Sequence, residues 1–224
     1  MREKKFKLNY KLTILAGILI MLIALISIKF VDDMRFQQIS KDINLILTES
    51  ESSKLISMYP SIFEMDKEKE REKFCKYLDF NTKLQMDKSF RLVNLLKIYE
   101  QANLLSDYEI IRKRYFLSNV ELYYYTLSEK KYCNESNVSI ILFFHYSEKK
   151  CPECIVQGQI LDKIREKCSN VKIITLSIDL DIIPIELLKS RYNITDAPSL
   201  VIDDNIVIRN LVTEEEILNK IVCE

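Results

Sequence analysis

Cys151-Pro152-Glu153-Cys154 is the segment of this sequence whose residue types and spacing suit it to chemistry. A thiolate is the nucleophile in thiol–disulfide exchange, and a second thiol two residues on can displace the mixed disulfide that the first one forms. Such a pair moves two electrons to or from another thiol or disulfide and calls for no bound organic cofactor. The segment follows a short polar loop, 147–150, and precedes a helical pattern in which Val156, Ile160, Ile164 and Cys168 recur every fourth residue. At the amino end of that helix, free backbone N–H groups and the positive end of the helix dipole face the Cys151 sulfur and lower its pKa. Lys149 and Lys150 add positive charge from the loop, whereas the Glu153 carboxylate opposes the thiolate.

Regular structure has to hold these residues, and the period of the sequence changes at Asn137 to supply it. Residues 138–146 (VSIILFFHY) form a near-continuous apolar, β-branched and aromatic run, which predicts a strand buried on both faces. Residues 171–178 predict a second strand. Asp181 is expected to cap a helix that Pro184 helps to start and that ends near Tyr192. Residues 200–202 and 206–208 predict two short strands around the turn Asp203-Asp204-Asn205, and Thr213 with Glu216 is spaced as a capping box for a last helix, 214–222. The order is β-α-β-α-β-β-α, an α/β domain over 137–224.

This order, the CxxC at the start of the first helix, and the segment Tyr192-Asn193-Ile194-Thr195-Asp196-Ala197-Pro198-Ser199-Leu200 that opens the third strand together resemble the thioredoxin superfamily. The resemblance covers about residues 137–222, under half of the chain. The usual first strand and helix are not evident, and the helix around 106–130 is a candidate for that helix's place on the sheet. The resemblance implies a cis Ala197-Pro198 bond lying against the active cysteines, with Pro198 shaping a groove for an extended substrate segment. It also places Pro152 where oxidising periplasmic members have proline, with Glu153 where those have histidine. That pairing predicts a couple near the middle of the ~−270 to −120 mV range. His145 stands six residues before Cys151, where thioredoxins carry a buried carboxylate. Two readings stay open: a general base for Cys154, or a strand-end histidine satisfied by hydrogen bonds.

The amino end suggests where this chemistry takes place. Residues 1–11 are a basic tail, with Arg2, Lys4, Lys5, Lys7 and Lys11 against Glu3, and residues 12–28 carry no charge. With Lys29 snorkelling outward, 12–31 reads as a transmembrane helix rather than a cleaved signal, because no small-x-small site follows. The basic tail and Asp32-Asp33 orient the amino end to the cytoplasm and the rest outside it, where disulfides persist.

Residues 32–131 read as an all-α spacer or docking region with no catalytic constellation. Phe36, Ile39, Ile43 and Ile46 make a short seam that Ser50 and Ser53 interrupt, and Pro60 marks a break. Helices are expected over 61–78, 85–103 and 106–130, with Asn81-Thr82 as punctuation. Tyr123-Tyr124-Tyr125 reads as core and interface rather than a substrate site.

Composition removes several function classes. Thirty-three basic and 33 acidic residues leave no net charge for binding nucleic acid through bulk electrostatics. Only two glycines, Gly17 and Gly158, rule out glycine-rich phosphate loops, and a single histidine rules out multi-histidine metal sites. A zinc site at the CxxC would need two further ligands. Cys168 falls on the buried helix face, and Cys75, Cys133 and Cys223 can pair among themselves or with it.

The expectation is therefore a membrane-anchored extracytoplasmic thiol–disulfide oxidoreductase. Its substrates are protein thiols or disulfides, and it depends on a separate redox partner. The alternative is a thioredoxin-fold binding or assembly module whose CxxC disulfide is structural. A cytoplasm-facing reductant of inverted topology is a third reading.

Overall fold

A computed structural model of the protein describes residues 14–31, 68–101, 105–133, 137–147 and 151–224, with isolated helical positions between 34 and 59. The basic tail, Asp32-Asp33, the seam from Phe36 to Ser53, Pro60 and the pair Lys149-Lys150 lie outside the described residues. The chain divides into two compact units, Met1–Glu51 and Ser52–Glu224.

In the first unit, α1 (Ile14–Val31) is an 18-residue helix of mean hydropathy 2.8 with no part of it buried. At about 1.5 Å per residue it is long and apolar enough to cross a membrane. Ser27 Oγ donates to the Ile23 carbonyl at 2.8 Å, so this polar side chain is satisfied within the helix.

In the second unit, α2 (Glu68–Gln101) and α3 (Leu105–Tyr132) form an antiparallel hairpin. The expected break at Asn81-Thr82 is absent: α2 runs through both. Asn81 Nδ2 donates to the Tyr77 carbonyl at 2.7 Å and Thr82 Oγ1 to the Leu78 carbonyl at 3.0 Å. Their polar atoms thus bond to the preceding turn instead of ending the helix. Lys88 and Glu121 pair at 2.7 Å across the hairpin, and Gln85 donates to the same carboxylate at 2.8 Å. A disulfide, Cys75–Cys133, closes the open end of the hairpin.

The remaining elements are β1 (Ser139–His145), α4 (Pro152–Lys167), β2 (Val171–Ser177), α5 (Ile183–Tyr192), β3 (Ser199–Ile202), β4 (Ile206–Arg209) and α6 (Glu214–Leu218). They build a mixed four-stranded sheet of order β2-β1-β3-β4, with β1 parallel to β2 and antiparallel to β3. The period of 2 along β1 sends Ile140, Leu142 and Phe144 into a core shared with α3 and α5, and Ile141 and Phe143 into one shared with α4 and α6. This central strand is therefore buried on both faces. From α3, Phe116, Val120 and Tyr123 enter the sheet core, and Asn119 Nδ2 donates to the Thr175 carbonyl of β2 at 2.9 Å. The hairpin and the sheet lie in one compact unit, Ser52–Glu224.

Where L-residues rarely go, this glycine-poor chain uses asparagine and aspartate. Asn193 ends α5 at φ 52°, and Asp203 and Asp204 make the β3–β4 turn at φ 51° and 63°. Three local expectations need correction. The N-cap of α5 is Ile182, without a side-chain bond, and Asp181 does not cap it. Pro184 in the first turn has no N–H to satisfy, which lessens the need for a cap. The buried side of α4 carries Cys154, Gln157, Leu161 and Ile164, leaving Val156 exposed and Ile160 half-buried. Finally, α6 has its expected capping box but stops at Leu218. The chain beyond is pinned back by Val222 N–H on Ser139 Oγ at 2.9 Å and by a disulfide between Cys168 and Cys223. Cys168 is thus a buried half of a cross-link.

Candidate functional site

Cys151 is the N-cap of α4. Its sulfur accepts the Cys154 N–H at 3.1 Å, the place that a serine or aspartate oxygen usually takes. The two cysteines form a disulfide with their Cα atoms 5.2 Å apart. Cys151 is half-buried and Cys154 is 7% exposed, so the first sulfur is the accessible one. Pro152 opens the helix, supplying the fixed φ that a first turn needs, and Pro152 and Glu153 both face solvent. When reduced, a Cys151 thiolate would receive the same N–H bond in charge-assisted form, at the positive end of a 16-residue helix.

The second wall of the site is the segment before β3. Ala197-Pro198 is a cis peptide bond, Pro198 is buried, and the Ala197 carbonyl oxygen lies 4.0 Å from Cys151 Sγ. The sulfur carries no proton in the disulfide, so this is a contact that a reduced thiol could turn into a hydrogen bond. Cys151, Cys154, Ala197 and Pro198, nearly 50 residues apart in sequence, are thus brought together.

His145 ends β1 with its ring against Phe143 and Phe116, at centroid distances of 5.4 and 5.7 Å. Nδ1 lies 3.0 Å from the Tyr146 carbonyl, which can only accept, so Nδ1 carries the proton and the Nε2 lone pair remains. Burial holds the imidazole below its ordinary pKa, partly offset by the Tyr146 carbonyl and the Asp179 charge. Among the described residues no hydrogen bond joins His145 to either sulfur of the CxxC. Lys150 lies outside the described residues.

Sequence reasoning missed three polar residues at this end of the sheet. Asp179 accepts from Ser147 N–H and Ser147 Oγ, each at 3.0 Å, and from Ser177 Oγ, fixing where the chain leaves β1. Tyr146 OH donates to Asp196 Oδ1 at 2.6 Å, and the Ala197 N–H reaches the same oxygen at 2.8 Å. Only the places of Tyr146 beside His145 and of Asp196 beside Ala197 could have drawn notice, and Asp179 offered no such signal, because the contacts span 32 and 50 residues. A separate groove of about 410 Å³ opens between α2, α3, α4 and β2, but neither the CxxC cysteines nor Ala197 and Pro198 line it.

All six cysteines are in disulfides, so this oxidised form offers no thiolate to a metal. What the arrangement can do is exchange: an accessible sulfur at a helix amino end, a buried partner one turn on, and a backbone acceptor beside them. The chain matches no family model and no curated protein.

Proposed function

We propose that the protein is a thiol–disulfide oxidoreductase with a thioredoxin-like C-terminal region, held at a membrane by α1. The observation that carries this reading is the geometry around Cys151: its sulfur caps α4 and lies 4.0 Å from the Ala197 carbonyl, while Cys154 is buried behind it. The resemblance to the thioredoxin superfamily implies the same roles for the two cysteines. In the oxidising direction a substrate thiolate attacks Cys151 Sγ, the Cys151–Cys154 bond breaks, and Cys154 leaves as a thiolate that takes up a proton. A second substrate thiolate then attacks the substrate sulfur of the mixed disulfide and expels Cys151. Substrate loses two electrons and two protons, and the cysteine pair gains them. In the reducing direction the Cys151 thiolate attacks a substrate disulfide, and Cys154 attacks Cys151 to release the second substrate thiol. A dithiol or disulfide redox partner resets the pair.

In this reading Ala197 and Pro198 border the extended substrate segment, and Pro152 and Glu153 tune the couple. His145, with Nδ1 bonded to the Tyr146 carbonyl and its pKa held low by burial, is the residue assigned to take the Cys154 proton. The three disulfides favour an oxidising compartment for the second unit, with the basic tail of α1 in the cytoplasm.

The test is an equilibrium titration of the full chain in detergent micelles against glutathione buffers. Thiols are trapped by alkylation, and the Cys151–Cys154 peptide is read by mass. A reversible two-electron couple between about −270 and −120 mV is expected. A value below about −300 mV, or no reversible couple, would make this a structural disulfide and the oxidoreductase reading wrong.

A further inference from the structure

The end of β1 and the Ala197 segment are joined by two side chains, Tyr146 and Asp196. Tyr146 follows β1 directly, and its ring packs against the cores on both faces of the sheet, so its hydroxyl is held in place at little further entropic cost. That hydroxyl donates to Asp196 Oδ1 at 2.6 Å, a short charge-assisted bond. The same oxygen accepts the Ala197 N–H at 2.8 Å, and the Asp196 backbone carbonyl accepts Ser199 Oγ at 2.7 Å. Asp196 is therefore fixed on both sides of its own peptide unit. The next residue is Ala197, whose carbonyl oxygen faces Cys151 Sγ at 4.0 Å. The hydrogen bond to Asp196 also raises the Tyr146 pKa, which favours the neutral phenol that donates it.

We propose that Tyr146 and Asp196 form a latch that holds the Ala197 carbonyl against the Cys151 sulfur and thereby limits how stable the Cys151 thiolate is; this rests on the redox reading above. A carbonyl oxygen carries partial negative charge. Held near the sulfur, it favours S–H, which can donate to it, over S⁻, which it repels. The Cys154 N–H and the amino end of α4 act in the opposite sense. The acidity of Cys151 then depends on how closely the latch holds the carbonyl, and a less acidic Cys151 gives a less oxidising couple. Tyr146 and Asp196 are positioning residues that act through Ala197.

Two substitutions separate the latch from simple charge. Tyr146→Phe removes one hydroxyl and keeps both the ring and the Asp196 charge. Asp196→Asn removes the charge and keeps an oxygen that can accept from Tyr146 and Ala197. The full chain in detergent is reduced, the pH midpoint for alkylation of Cys151 is measured, and the glutathione titration is repeated for each variant. Tyr146→Phe should lower the midpoint by about half a pH unit and raise the ratio of dithiol to disulfide by up to about threefold at a fixed glutathione ratio. Asp196→Asn should move both by less. If Tyr146→Phe does not fold, Asp196→Ala breaks the latch from the other side and must reproduce the shift. Values for Tyr146→Phe equal to those of the unaltered protein overturn the latch, as does a larger shift in Asp196→Asn than in Tyr146→Phe. Failure of the redox reading itself is distinct, since the unaltered protein would then give no reversible couple.

Discussion

His145 is the chain's one histidine, and its ring is held between Phe116 and Phe143 with its pKa below the ordinary 6.5, chiefly through burial. The sign of its effect on stability follows. As pH falls through about 6.5 the unfolded chain takes up a proton that the folded imidazole refuses, so the folded state loses stability until the folded pKa is reached. The loss approaches about 1.4 kcal/mol for each pH unit in that window. Urea denaturation of the oxidised protein should therefore show a midpoint that drops from pH 7 toward pH 5. His145→Gln should flatten that part of the profile; an unchanged slope would remove His145 as its cause. The Cys151–Cys154 spacing and the Ala197-Pro198 step were legible as residues, because a CxxC and an x-Pro before a strand are local patterns. The Tyr146–Asp196 bond was not, because nothing in two residues 50 apart tells that strand and loop meet.

Among the elements, the α2–α3 hairpin buries several polar groups in its interface. Lys88 is 3% exposed and bonds to Glu121 at 2.7 Å, while Ser89 contacts Ser118 at 2.8 Å and Asn119 at 3.0 Å. Removing Lys88 takes the counter-ion from Glu121, which keeps the Gln85 N–H and is 21% exposed. Lys88→Met should destabilise the protein by about 2 kcal/mol, and Lys88→Met with Glu121→Leu should recover most of it. Equal stability of the single variant and the unaltered protein, by urea titration, would show that the pair contributes nothing. The same hairpin explains one misreading. Asparagine and threonine are turn formers by propensity, yet Asn81 and Thr82 are 6% and 2% exposed within a helix whose packing on α3 and back-bonding to Tyr77 and Leu78 override it. β1 was legible for the converse reason: burial on both faces writes an unbroken apolar run into the sequence.

At the scale of the whole molecule, α1 and three disulfides give the topology its test. If the second unit lies outside the cytoplasm, a cysteine introduced in place of exposed Lys163 should react with an impermeant maleimide on intact cells. Protection until the cells are lysed would reverse the orientation. The pairings Cys75–Cys133 and Cys168–Cys223, 58 and 55 residues apart, were open in the sequence because pairing depends on the folded path. Those two bonds follow one another along the chain without overlapping, and Cys151–Cys154 lies between them. A pull applied between a point before Cys75 and one after Cys223 crosses each loop through two sulfur atoms, so the residues inside carry no load. At roughly 3.5 Å per extended residue, about 200 Å of contour is withheld in each loop. The tension that remains runs through β1 and α4, the two elements that flank Cys151. Mechanical force on the oxidised protein is thereby directed along the covalent path that holds the cysteine pair, and from β1 it passes to β2 and β3 through their hydrogen bonds.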